Sequence, residues 1–89
     1  MKLHEIKLNI EFCDAVYNGE KTFELRKNDR GYQKGDHIKF ISVEGDCFPT
    51  KVSHNIEDCE YEITYVLNGW GLQEGYVALA IRRVDDGNM

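Results

Sequence analysis

The stretch His4-Glu-Ile-Lys-Leu-Asn-Ile10-Glu-Phe-Cys-Asp-Ala-Val-Tyr-Asn-Gly19-Glu-Lys-Thr-Phe-Glu-Leu-Arg-Lys27 changes its apolar period twice. From His4 to Ile10 it alternates strictly. Ile6, Leu8 and Ile10 point one way and Glu5, Lys7 and Asn9 the other, the signature of a half-buried strand. Phe12, Ala15 and Val16 then stand at i, i+3 and i+4, which predicts a two-turn helix over about Glu11 to Asn18. Glu11 and Asp14 favour its N-terminal half through the helix dipole, and Gly19 supplies the left-handed residue that ends it. Alternation resumes from Lys21 to Lys27. On that spacing Phe23 and Leu25 are expected in the core, and Thr22, Glu24 and Arg26 on the opposite face.

Working outward, Asn28-Asp-Arg-Gly31 is rich in turn formers. Lys34-Gly35-Asp36 reads as a tight turn opening a strand from His37 to Val43, with Ile38 and Phe40 inward. Glu44 to Pro49 reads as a loop and Lys51 to Ser53 as a brief edge strand. Glu60 to Leu67 sets Tyr61, Ile63, Tyr65 and Leu67 against Glu60, Glu62 and Thr64. Tyr76 to Val84 is apolar on both faces, as a central strand would be. The tail, Asp85 to Met89, is polar and expected to fray. Five or six short strands with one helix predict an α+β, mainly β domain closed into a small partial barrel, which also removes exposed strand edges.

The 89 residues allow one domain, residues 1–89. No apolar run approaches the roughly 18–20 residues that span a bilayer, and no leader-like segment stands at the start. A cytoplasmic protein without a membrane partner is therefore expected. Cys13, Cys47 and Cys59 lack metal or disulfide spacing, and Cys13, on the helix, reads as a small buried side chain. His37 and His54 have no ligand spacing with each other or with a cysteine, so no metal is expected. Phosphate-loop, dinucleotide and nucleophile-elbow motifs are absent, so no cofactor is expected either. His4 shares the parity of Ile6 and Leu8 and reads as a satisfied, partly buried histidine. Trp70, between two glycines, is either a stacking platform or a cap on the barrel mouth.

The chain carries 11 basic and 16 acidic residues, a formal net charge of −5. Six of the basic and four of the acidic residues lie between Glu20 and Lys39, so this stretch is positive on an acidic body. That suits a small anionic ligand or a short nucleic-acid contact better than long non-specific duplex binding. Within it, Lys21 offers a point charge, Arg26 a planar two-pronged donor and Glu24 an acceptor for amino groups. Such a face could read a nucleobase edge or a phosphate. As a merely solvated face it would hold a Glu24–Arg26 ion pair contributing about 0–1 kcal/mol.

The spacing Gly19-x-Lys21-x-x-Glu24-x-Arg26 resembles the signature of the ASCH domains, members of the PUA-like superfamily. His4-Glu-Ile-Lys-Leu8, Arg26-Lys-Asn-Asp-Arg30, Lys34-Gly-Asp36 and Gly71-Leu-Gln-Glu-Gly-Tyr-Val-Ala-Leu79 extend the resemblance, towards a small bacterial and phage branch, over nearly the whole chain. It implies a PUA-like pseudo-barrel with the helix beside a cleft, Lys21, Glu24 and Arg26 lining that cleft, and RNA or a nucleotide as ligand. Lys7, on the polar side of the first strand, and Arg30 complete the expected site. Distant ASCH members are amidohydrolases acting on a modified nucleoside, with a threonine nucleophile. Here Glu24 stands in that threonine's place, so a hydrolase would need Glu24 as a base for water, with Lys21 or Arg26 stabilising an oxyanion. A protein-interaction domain whose cleft has no ligand is the third expectation.

Overall fold

The computed structural model describes residues 1–84. Strand β1 (Leu3–Asn9) runs into helix α1 (Ile10–Tyr17), followed by β2 (Phe23–Lys27), β3 (His37–Glu44), the two-residue β4 (Thr50–Lys51), a 3-10 turn (Asn55–Asp58), β5 (Tyr61–Asn68) and β6 (Tyr76–Arg83). The strands form one sheet in the order β1-β3-β5-β6-β2, with β4 beside β3. Among the described residues only β1 and β3 are parallel, and their crossover carries α1 and β2. The expectation of a mainly β domain with a single short helix near the start is met. Among the described residues no helix is long and apolar enough to cross a membrane. The predicted fraying of Asp85 to Met89 lies outside the described residues.

The two strands at the ends of the sheet order face each other. Arg26 Nη1 on β2 donates to the carbonyl of Lys7 on β1 at 2.9 Å, and Arg30 Nη1 donates to that of Glu5 at 2.8 Å. Side chains therefore bridge a gap where a closed barrel would have ladder bonds, and the gap leaves room for a cleft. The core lies inside the curl: Ile6, Leu8, Ile38, Phe40, Ile63 and Leu79 pack with Cys13 and Val16 of α1. Buried Ser42 is satisfied by the Val52 carbonyl (2.6 Å) and the Glu57 carboxylate (3.0 Å).

Three expectations are corrected. Phe23 and Leu25 are 47% and 55% exposed, whereas Glu24 is 3% exposed. β2 has the predicted alternation with the opposite facing, because its register sets Glu24 beside buried Leu79, and Phe23 and Leu25 beside Ala80 and Ala78. In β5 an irregularity between Ile63 and Tyr65 reverses the faces. Tyr65 is exposed and Val66 packs on the core instead. Phe23, Leu25 and Tyr65 thus share an apolar outer face with Leu67 and Tyr76, around Ala78 and Ala80. Trp70 is 89% exposed, which excludes a cap packed on the barrel mouth. Its positive φ of 50°, between two glycines that are also left-handed, places it in the loop joining β5 and β6.

Candidate functional site

The site begins at the end of α1. Gly19, at φ 83°, lets the chain reverse. The amides of Glu20 and Lys21 both donate to the Ala15 carbonyl, at 2.8 and 3.0 Å. This turn fixes Lys21 at the entry to β2. Three residues later the strand carries Glu24 inward, to the base of the gap between β2 and β1.

There the Glu24 carboxylate is held by two cations. Lys21 Nζ donates to Glu24 Oε2 at 2.9 Å and to the Phe23 carbonyl at 2.8 Å. Arg26 Nη1 lies 3.5 Å from Glu24 Oε1 while bonding the Lys7 carbonyl. The Lys21 ammonium also stands over two rings, 4.8 Å from the centroid of Phe23 and 5.5 Å from that of Phe12. Such contacts favour a cation whose hydration is partly stripped.

These groups line a cleft of about 520 Å³ together with Lys7, Leu8, Asn9 and Leu25. Its walls are largely apolar with a few charged groups, a composition typical of small-molecule sites. Three cations and one carboxylate make it locally positive. Its lining carries no hydroxyl or thiol side chain.

Of the five residues expected to bind a ligand, Lys7, Lys21, Glu24 and Arg26 come together here. Arg30 does not line the cleft and instead tethers β1 at Glu5, two residues before the Lys7 contact. Phe12 and Phe23, the lips of the cleft, were both expected in apolar packing roles. Asn9 had a legible signal, since its Oδ1 caps α1 by accepting from Glu11 N at 3.1 Å. Nothing in the sequence pattern joins Phe12 to Lys21, because their proximity depends on the turn after α1.

Several titratable groups outside the cleft serve the fold. His4 is buried against Tyr32, with ring centroids 4.8 Å apart, and its Nε2 bonds Asp36 Oδ2 at 2.9 Å. Burial pushes the Asp36 carboxyl up, but bonds from His4 and from the amides of Lys2 and Gln33 outweigh that and hold it below its usual value. Burial, with nearby Asp14, pushes the Cys13 thiol up to about 11, so this cysteine is an unreactive core residue. His37 pairs with Glu60, and His54 with Asp14 at 2.8 Å. No cluster of three or more metal-ligating side chains occurs among the described residues.

Two comparisons bear on kinship. The sequence profile of a family described as a domain of unknown function (DUF3850) matches residues 3–81. A 37-residue segment is 49% identical to the uncharacterized 12.9 kDa protein in the GpA 3′ region of Escherichia phage P2, covering 42% of this chain. The matched segment spans about a third (34%) of that phage protein's length.

Proposed function

The chain belongs to the DUF3850 family, and we propose that it is a binding module that takes RNA or a nucleotide in the cleft between β1 and β2. The observation that carries this reading is the buried Glu24 carboxylate, fixed between Lys21 and Arg26 at the base of an apolar-walled cleft. A buried ion pair is a poor way to gain stability, because desolvation offsets most of the attraction. Where such a group faces a cleft, ligand recognition accounts for its presence better than packing does.

In the bound state Lys21 and Arg26 meet a phosphate or a base carbonyl, and Glu24 holds the two cations in place for it. Phe12 and Phe23 offer ring faces to a base. The ASCH-like spacing Gly19-x-Lys21-x-x-Glu24-x-Arg26, with the PUA-like pseudo-barrel it implies, supports the same reading, since RNA binding is the usual proposal for those domains. A hydrolytic role is less well supported. The cleft lining offers no hydroxyl or thiol nucleophile, and Glu24 is already paired with two cations.

The few cations at the cleft set the expected behaviour. A fluorescein-labelled hexaribonucleotide titrated at several salt concentrations should give a log–log slope corresponding to roughly two to four phosphates. A slope near zero, or one requiring many more contacts, contradicts this mode of binding.

A further inference from the structure

A second cleft, of about 350 Å³, lies past the C-terminal end of α1 and is walled by Tyr17, Thr22, Tyr61, Arg82 and Arg83. Lys21 lines both clefts. The second one carries three cations and no carboxylate in its lining, in a chain where acidic residues outnumber basic ones by 16 to 11. Arg82 is paired with Glu62, which lies outside the cleft. Arg83 lies on the Tyr17 ring, 4.6 Å from its centroid, with the Tyr61 ring at 5.9 Å. Its Nη2 donates to the Tyr17 carbonyl (2.6 Å) and to the Tyr61 hydroxyl (3.5 Å). A guanidinium has five N–H donors, so most of this one's capacity is still available to an anion or a base edge.

Lys21 has similar spare capacity. Two of its three N–H donors go to the Phe23 carbonyl and Glu24. The third is left for a further acceptor. We propose that the two clefts form one track, and that the ligand is a phosphodiester of at least two nucleotides. One base occupies each cleft and the linking phosphate sits at Lys21. The proposal rests on the reading of the first cleft as a nucleotide site and extends it from a mononucleotide to a strand.

Calorimetric titration with adenosine 5′-monophosphate and with the dinucleotide ApA separates the two readings. ApA carries less charge than the monophosphate, so tighter binding of ApA cannot come from charge alone. With the second base stacked, ApA should bind about tenfold more tightly, one molecule per chain. Thr22→Leu narrows the second cleft from an exposed position without adding charge or a ring. It should bring ApA down to the level of the monophosphate while changing monophosphate affinity less than about twofold. Arg83→Lys, which keeps the charge but loses the fork and the ring contact, should act in the same direction. Equal affinity of the two probes for the unmodified chain, or two monophosphates bound independently, overturns the track and leaves the first cleft standing. Binding of neither probe overturns both readings.

Discussion

Glu24 is the residue on which stability and the proposed recognition meet. Its carboxylate is nearly sealed off, while the side chains of Lys21 and Arg26 keep 20% and 26% of their exposure. Removing the carboxylate leaves two half-desolvated cations facing each other. Glu24→Ala should therefore cost about 2–3 kcal/mol in urea unfolding, below the range for fully buried pairs because water still reaches both partners. Arg26→Lys ends one atom short of Nη1, which makes both the Glu24 and the Lys7 carbonyl contacts, and should cost about 1 kcal/mol. If both variants unfold within about 0.5 kcal/mol of the parent, the trio is a solvated surface pair. That Lys21, Glu24 and Arg26 lie together was legible from their spacing and the resemblance it carries. That Glu24 lies inside was not. Alternation shows which residues share a face but not which face is the interior, and an isolated Phe23/Leu25 pair points the wrong way.

The same ambiguity sets the prediction for elements. β2 contributes to the core through Glu24, with its apolar side chains on the outer face, whereas β5 contributes Tyr61 and Ile63 before its register shifts. Leu25→Thr should then cost less than about 0.5 kcal/mol, and Ile63→Ala about 2–5 kcal/mol, in the same denaturation experiment. The reverse order would restore the inward-facing Leu25 that the alternation first suggests. β1, α1, β3 and β6 were legible because each has a long periodic pattern, a terminating glycine or a continuous apolar run. The irregularity in β5 was not, since a shift of one residue leaves no mark in composition. The start of β1 is fixed to the turn before β3 by Asp36, which bonds His4, Lys2 N and Gln33 N. Because the folded Asp36 carboxyl is held below its unfolded value, its contribution is fully present above the unfolded value, about 3.9, and is lost as pH falls through the folded one. Hence the stability gap between the parent and Asp36→Asn should be constant above about pH 5 and shrink steadily towards pH 2. A gap that does not change with pH would mean Asp36 acts through shape alone.

At the scale of the whole molecule, an acidic body carries a positive cleft where the two end strands of a curled sheet fail to pair. The charge segregation was legible from the Glu20–Lys39 stretch. The position of the opening was not, because it follows from Arg26 and Arg30 bridging to β1 across a long separation in sequence. The central claim is that this opening, and not the apolar outer face of β2, β6 and β5, is where a nucleotide binds. Titrating ¹⁵N-labelled protein with adenosine 5′-monophosphate and following its amide resonances tests that claim most directly. Shifts confined to Lys7–Asn9, Phe12 and Lys21–Arg26 are the predicted result. Shifts centred on Tyr65, Leu67 and Tyr76, or none at ligand concentrations up to several millimolar (about 4 kcal/mol of binding free energy at 1 mM), would contradict it.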